Sequence, residues 1–239
     1  ANNEISGPVV SSYILKYLKK KKNKFSYRFI FIPETIGSIT YLSKNYKNLK
    51  KNVIAAYNLS CIGDERNYSY LPSRSNISVA DIISTKVLKK KFPNFRSYTW
   101  YDRGSDERQF CSPGIDLPMV TLMRTKYGEY KEYHTSADNL NLISNKGLQQ
   151  SFEVIKTIID GFEKCFLPKT SIICEPNLGS RNLYPTTSIK DNYKKRNFML
   201  DLITFSNGKD NIFDISQKTN IPLRNLIETY LILKSKKIF

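Results

Sequence analysis

The sequence predicts an α/β protein: a mixed, mostly parallel sheet with helices on both faces, followed by a small C-terminal helical domain of winged-helix type. Two observations support this fold class. Short, nearly continuous apolar runs alternate with helical patterns over most of the chain, which is typical of strands and crossover helices in one sheet. Three short helical patterns with tight turns come last. With 239 residues, 40% of them hydrophobic, the chain can bury a sizeable core and is too apolar to be disordered.

The first segments alternate between helix and strand. Residues 8–18 carry apolar side chains at a helical period. Residues 27–32 form an almost fully apolar run closed by Pro33, which fits a strand buried on both faces of a sheet. A helical pattern over 36–45 and a second buried strand over 52–62 follow.

The next segments complete the predicted sheet and its helices. Residues 79–91 predict an amphipathic helix, and 95–101 and 117–123 predict strands. Residues 148–166 predict a long amphipathic helix. We therefore assign residues 1–170 to one α/β domain.

The composition then changes to Pro, Gly, Ser and Asn around residues 174–185, so we predict a linker or docking segment over 171–190. Residues 191–239 predict a helix-turn-helix or winged-helix module with a minimal wing or none. Its three predicted helices cover residues 198–205, 212–219 and 223–233, with a turn at 220–222.

The charge balance is strongly basic, with 38 Lys and Arg against 21 Asp and Glu and a net charge of +17. Such a balance raises the question of nucleic-acid binding. However, the densest clusters lie at the ends or on the solvated faces of predicted helices, so we favour ordinary surface chemistry. These clusters are residues 19–22, 89–91, 194–196 and 234–237.

The cysteines and the absence of a membrane signature predict a cytoplasmic location. None of the four cysteines forms a C-x-x-C pair, so buried free thiols in a reducing compartment are expected. No apolar run approaches the ~20 residues of a membrane span, and no secretion signal is visible. The chain begins with Ala1 rather than Met, which predicts that it is a fragment of a longer protein.

Acidic residues follow the predicted strands, at the ends where open α/β sheets place their ligands. Glu34 follows the first strand and Asp64 the second, while Asp102 and Asp106 follow the third, and His134 comes after the last. Carboxylates and one His could form a hydrolytic zinc site, with Glu34 as general base. Alternatively, the acidic residues cap helices and the His is structural.

Four separated strings resemble a bacterial aminopeptidase-like family of unsettled function that carries a C-terminal winged helix. They are RFIFIPETIGS at 28–38, GSDERQFCSPG at 104–114, GEYKEYHTSADN at 128–139 and CEPNLGSRNLY at 174–184. That family in turn resembles the co-catalytic zinc aminopeptidases. The resemblance implies the fold given above and a metal-dependent hydrolysis of peptide or amide bonds. It also implies an association with surface-polysaccharide genes.

The resemblance also implies roles for individual residues. Glu34 occupies the position of the general base and Thr35 that of an adjacent metal ligand, although a gap in the match would exchange these two roles. His134 matches the last zinc ligand. Asp64 is a further candidate ligand, although in strict register the ligand would fall near Ser60.

Other residues are expected around the substrate. Asp106 and Glu107 match the segment near the substrate pocket, and Tyr133 adjoins His134. Arg108 and Arg124 could hold a substrate carboxylate with two parallel hydrogen bonds.

Two departures from the family pattern concern the metal. Asn3 occupies the position of the metal-bridging Asp, and a neutral amide cannot bridge two cations as a carboxylate does. The segment that supplies the first His ligand would lie before Ala1. The sequence therefore predicts that this chain binds zinc weakly or not at all and is catalytically impaired.

Three functions remain open at this point. The first is a zinc hydrolase that acts on a peptide or an amide-bearing small molecule. The second is a catalytically degenerate binding module with a helical tail for partners. The third is DNA binding through the helix at 223–233, which its mostly apolar sequence disfavours.

Overall fold

The computed structural model describes residues 1–165, 167–184 and 190–239. The last residue of the helix predicted over 148–166, and residues 185–189 of the predicted linker, lie outside the described residues. The chain divides into two compact units, Ala1–Asp160 and Gly161–Phe239.

A four-stranded mixed sheet forms the centre of the first unit. Its strands are β1 (Ala56–Leu59), β2 (Ser69–Leu71), β3 (Arg96–Ser97) and β4 (Met119–Met123), in the order β1-β4-β2-β3. β1 runs parallel to β4 and β3 parallel to β2, whereas β2 is antiparallel to β4. Every residue of β4 is buried, as expected for a central apolar strand. The predicted mixed, mostly parallel sheet is confirmed.

The helices of the first unit have clear local causes. α1 buries Val10, Ile14 and Leu18, which lie four residues apart on one face. α3 begins with a capping box, in which Ser78 and Asp81 satisfy each other's backbone N–H groups. The helices are α1 (Ser6–Lys19), α2 (Ile36–Asn52), α3 (Val79–Lys91), α4 (Glu107–Phe110) and α5 (Asn145–Cys165), the last of which continues into the second unit.

Two apolar clusters connect these elements. One packs Leu42 and Leu49 of α2 against Phe110 and Met119. The other joins the ends of the strands and contains Cys61, Leu71, Met123, Tyr127 and Tyr130. The loops that follow β1 and β4 carry four of the predicted site residues, namely Asp64, Arg124, Tyr133 and His134.

The predicted strand at 27–32 is wrong. This segment pairs with no strand of the described chain, and Phe31 is 58% exposed. Part of its apolar character is explained by Ile32, which packs against the α2 cluster. An apolar run indicates burial, but a strand also needs a neighbouring ladder, which the run itself does not specify.

Two other predicted strands are shorter than expected. The segment at 52–62 yields only β1, because α2 continues to Asn52 and Cys61 adopts a positive φ of 49°. The segment at 95–101 yields only β3, because a short 3-10 helix begins at Trp100. β2 and α4 were not predicted, since neither contains a periodic apolar run long enough to detect.

The second unit contains a helix-turn-helix arrangement. Its helices are α6 (Lys190–Phe205), α7 (Ile212–Thr219) and α8 (Leu223–Ser235). Asn211 and Asp214 form the capping box of α7, and Asn220 ends it in the left-handed conformation. The three predicted helices are confirmed. Residues 174–184 are irregular apart from a 3-10 turn at Gly179–Arg181.

Within the described residues, no helix combines the length and apolar character required to cross a bilayer.

Candidate functional site

Glu34 lies at an unusual turn just before α2. Its carbonyl oxygen accepts a hydrogen bond from the amide of Ile36 at 2.7 Å, and Thr35 between them has φ 59° and ψ −67°. These values define a classic γ-turn, a rare and strained conformation. It is more strained for a β-branched residue. Strained backbone of this kind concentrates at functional sites.

Two side chains from the α4 segment hold this turn. The Oδ1 atom of Asp106 accepts a hydrogen bond from the Thr35 amide at 2.8 Å. The Nη2 atom of Arg108 donates to Thr35 Oγ1 at 3.2 Å and lies 4.0 Å from Glu34 Oε1. The structure thus brings three predicted residues, Glu34, Asp106 and Arg108, into one place. We call these three residues, with Thr35 and Tyr133, the Glu34 site.

The environment of Glu34 favours its protonated form. Partial burial raises the pKa of its carboxyl, and the neighbouring Asp106 carboxylate and Glu4 raise it further. A hydrogen bond from Ser105 and the charge of Arg108 act in the opposite direction. Since the side chain remains 45% exposed, Glu34 is a reachable carboxylate with increased basicity.

Tyr133 and His134 form the aromatic part of this region. Their rings stack with centroids 3.9 Å apart, and Tyr133 also contacts Tyr130 edge-to-face at 5.5 Å. Burial raises the pKa of the Tyr133 hydroxyl, as do the charges of Cys61, Glu34 and Glu4. Tyr133 therefore lies within electrostatic reach of Glu34. His134 is exposed and adopts a positive φ of 56°.

Asn3 lies beside the loop that follows β1. Its Oδ1 atom accepts hydrogen bonds from Ser60 Oγ at 3.3 Å and from Cys61 Sγ at 3.5 Å, and its Nδ2 atom donates to Glu4. The amide thus uses both its donor and its acceptor within the protein. Sequence reasoning missed Glu4, although it directly follows the position of the bridging carboxylate.

Asp64 is a buried structural carboxylate. Its side chain accepts hydrogen bonds from Asn2 Nδ2, from the amide of Arg66, and from both the amide and the hydroxyl of Thr125. It is 2% exposed, so its lone pairs are directed at protein donors. It joins the segment before α1 to the loop after β4.

Two predicted pocket residues are also buried. Glu107 is fully buried, and neutral protein groups donate to both of its oxygens. Arg124 is 3% exposed and places its guanidinium over the rings of Tyr68 and Phe92, 5.4 and 5.3 Å from their centroids. Burial lowers the pKa of Arg124. Arg108 is the predicted arginine that the structure places beside Glu34.

The residues predicted as metal ligands do not fit a zinc ion. No group of three or more His, Cys, Asp or Glu side chains converges in the described ranges. The lone pairs of Asp64 are occupied, Asn3 is a neutral amide, and His134 stacks on Tyr133. Zinc sites in proteins need at least three such ligands at about 2 Å, which this set does not supply.

Comparison with family models divides the chain into two matched regions. Residues 1–165 match a family described as a domain of unknown function, DUF4910. Residues 166–239 match a family described as winged helix-turn-helix.

A protein from Clostridium acetobutylicum, named "Putative polysaccharide biosynthesis protein with aminopeptidase-like domain", is 39% identical over 234 residues. The alignment covers 94% of this chain and 52% of that protein. A crystal structure of a "putative peptidase" from Clostridium acetobutylicum matches with a TM-score of 0.68 and 34% identity, covering all of this chain and 53% of the other. The chain thus spans about half the length of these relatives.

More distant structures share the fold. An aminopeptidase from Aneurinibacillus sp. strain AM-1 matches 66% of this chain and 38% of its own, with a TM-score of 0.58 and 18% identity. A zinc aminopeptidase from Bacillus subtilis gives the same TM-score of 0.58 at 19% identity, covering 66% of this chain and 41% of its own. The α/β unit therefore has an aminopeptidase-like fold. Its residues 1–165 place the chain in the DUF4910 family, with a winged helix-turn-helix domain following at its C-terminal end.

Proposed function

We propose that the Glu34 site acts on a peptide or another amide-bearing molecule, as part of a longer peptidase-like protein. The observation that carries this proposal is the strained turn at Thr35, which Asp106 holds so that Glu34 is presented at the surface beside Arg108. The aminopeptidase-like fold and the names of the relatives support it.

The residues of the site suit proton transfer to an amide nitrogen. A carboxyl group whose pKa is raised toward neutrality is an effective general base and acid, and Glu34 has the required direction of shift. It would accept the proton of an attacking water molecule and return it to the departing amine. Arg108, half-exposed beside it, would bind a carboxylate of the substrate.

Zinc enters only as an expectation from the zinc aminopeptidases that share the fold. Because the predicted ligands do not form a zinc site, we propose that this chain by itself binds zinc weakly or not at all. Isothermal titration with zinc chloride tests this statement. Sub-micromolar affinity at one or two ions per chain would contradict it.

Hydrolysis is tested with the chain and a panel of aminoacyl anilides and amides, by measuring the released amine. We expect Glu34→Gln to lower any measured rate by about 10²–10⁴-fold, the usual contribution of a general base. Glu153→Gln changes a glutamate of α5 whose side chain is 44% exposed, similar to Glu34; it is the matched control and should retain the full rate. An unchanged rate in Glu34→Gln would exclude Glu34 as the base.

A second candidate function is a binding module without catalysis. The neutral amide of Asn3 favours it, because Asn3 stands where the resemblance expects the metal-bridging carboxylate. In that case Glu34 and Glu4 would bind the ammonium group of a peptide. Titration of amino-acid amides into the chain would then show binding that Glu34→Gln weakens, with no released amine. Release of the amine at a rate that depends on Glu34 would exclude this candidate.

A further inference from the structure

We propose that Glu107 is a positioning residue for Glu34, connected to it through the Gly104–Asp106 loop and the Thr35 turn. The inference rests on the proposed function, because it concerns the geometry of the same general base. It assigns Glu107 a role without contact to substrate, in place of the pocket role that the sequence predicted.

The first step is the contact between Glu107 and the loop before it. Glu107 Oε1 accepts hydrogen bonds from the backbone amides of Gly104 at 2.8 Å and Ser105 at 2.9 Å. The Glu107 side chain is fully buried, so water does not compete for its acceptor oxygen. They fix the backbone of the two residues that precede Asp106.

The second step connects the same carboxylate to the sheet. Glu107 Oε2 accepts from Asn58 Nδ2 at 3.2 Å and from Thr121 Oγ1 at 3.0 Å. Asn58 and Thr121 are direct neighbours in the parallel pairing of β1 and β4. Glu107 thus ties the Gly104–Asp106 loop to β1 and β4, the paired strands at one edge of the sheet.

Tyr127 is a further hydrogen-bond donor to the Glu107 carboxylate. Its hydroxyl donates to Glu107 Oε1 at 2.9 Å, and burial and the Glu107 charge raise the pKa of that hydroxyl, so it stays protonated as a donor. The ring lies so close to Gly104 that a Cβ there would meet Tyr127 Cε2 at 2.6 Å. Only glycine allows this approach, which keeps the loop against the carboxylate.

The last step leads from the loop to the base. Asp106 follows the two anchored amides directly, and its Oδ1 atom holds the amide of Thr35 at 2.8 Å. Thr35 is the centre of the γ-turn, so its amide sets the direction in which Glu34 projects. A loop released by loss of the Glu107 carboxylate would release Asp106 and therefore the turn.

Amide hydrogen exchange of the chain tests this relay without requiring any enzymatic activity. In Glu107→Ala we expect exchange of the Thr35 amide to become at least about tenfold faster, the effect of losing one charge-assisted hydrogen bond. The Ser73 amide, held separately by Asp81, should keep its rate. Glu107→Gln retains an acceptor oxygen and should return the Thr35 amide to within about threefold of the unmodified chain.

A double-mutant cycle distinguishes a relay from two independent effects. Asp106→Ala alone should accelerate Thr35 exchange, and adding Glu107→Ala to it should cause no further acceleration. The proposal is overturned if the two effects multiply, or if Glu107→Ala accelerates Thr35 and Ser73 equally. Because the readout is exchange, a failure here differs from a failure of hydrolysis, which the Glu34→Gln assays detect.

Discussion

Thr35 shows how one residue can combine poor intrinsic geometry with a specific position. Its backbone lies in a region that β-branched residues avoid, and contacts from Asp106 and Arg108 compensate for the cost. Glycine would adopt the same conformation without strain. Unlike glycine, Thr35 also accepts a hydrogen bond from Arg108 through its side chain.

We expect Thr35→Gly to leave the free energy of unfolding unchanged or to raise it by up to about 1 kcal/mol, because relief of strain exceeds the entropic cost of glycine. Thr40→Gly, on the exposed face of α2, is the matched control and should lower it by up to about 1 kcal/mol. Urea unfolding of both variants measures the difference. Equal destabilisation by the two glycines would contradict the strain argument.

The raised pKa of Glu34 also has a consequence for stability. The unfolded carboxyl loses its proton near the ordinary value of 4.5, whereas the folded one retains it to higher pH. The folded state therefore loses stability as the pH rises through this interval, and the loss is complete above the folded pKa. We expect Glu34→Gln to raise the melting temperature at pH 7 and to have little effect at about pH 4. A stabilisation that is equally large at both pH values would contradict the shift.

At the scale of elements, buried carboxylates organise the loops around the sheet. Asp81 accepts hydrogen bonds from the hydroxyl of Tyr70 and from the amides and hydroxyls of Ser73 and Ser78. Asp64 and Glu107 have similar sets of neutral donors. Hydrogen bonds thus compensate for the removal of these charges from water.

The capping boxes of α3 and α7 differ in burial, so the stability that each carboxylate contributes can be compared. We expect Asp81→Ala to cost about 3 kcal/mol or more, since buried donors are left without an acceptor. Asp214→Ala, in the less buried box of α7, should cost about 1 kcal/mol. Exchange rates of amides in α3 and α7 measure the two effects separately. Similar costs would show that burial contributes little.

Gly7 lets α1 approach the sheet closely. A Cβ at this position would lie 2.1 Å from the carbonyl oxygen of Leu59 in β1. We expect Gly7→Ala to destabilise the protein by about 1–3 kcal/mol through overpacking, although alanine favours helix. Ser12→Ala on the exposed side of α1 should have little effect by thermal melting. A stable Gly7→Ala variant would show that α1 can move away from β1.

The periodic elements could be predicted because their burial follows from their own sequence. α3 and α7 begin and end where the apolar pattern and capping residues place them. The segment at 27–32 failed because an apolar run does not specify a partner strand. β2 was missed because a three-residue strand acquires its burial from neighbours that are distant in sequence.

The predicted site residues fall into two groups, those that meet at the Glu34 site and those that are buried elsewhere. Glu34, Asp106 and Arg108 meet because the segment before α2 contacts the start of α4, although the strand that was expected to place Glu34 there does not form. Asp64, Glu107 and Arg124 follow the strand-end pattern, yet their side chains turn into the protein. A sequence pattern gives the location of a residue along an element, but not the direction of its side chain when buried donors or rings compete for it.

At the scale of the whole molecule, the net charge of +17 and the winged helix raise the question of DNA. α8 buries Leu226, Ile227, Tyr230 and Leu233. Half-buried Glu228 lies in the same helix. Burial raises the pKa of its carboxyl, whereas the positive charge of Arg224 lowers it. Because so much of α8 is apolar and buried, we expect it to offer few polar side chains to base edges.

We therefore expect any binding to labelled duplexes to be independent of base sequence and to disappear between about 50 and 200 mM salt. Arg224→Ala should weaken it no more than Lys234→Ala, a change at an exposed lysine of α8. Electrophoretic shifts with unrelated duplexes measure both effects. A duplex that stays bound at high salt and depends on Arg224 would instead indicate a specific partner.

The anchoring of Glu107 also bears on how the sequence can vary. Its carboxylate depends on Asn58, Thr121 and Tyr127, which come from three separate segments. A change at position 107 leaves these donors without an acceptor, and a change at any of them weakens the hold on the carboxylate. These four positions should therefore be replaced together rather than singly across related sequences, and their co-variation would record the geometry of the Glu34 site even where its chemistry has changed.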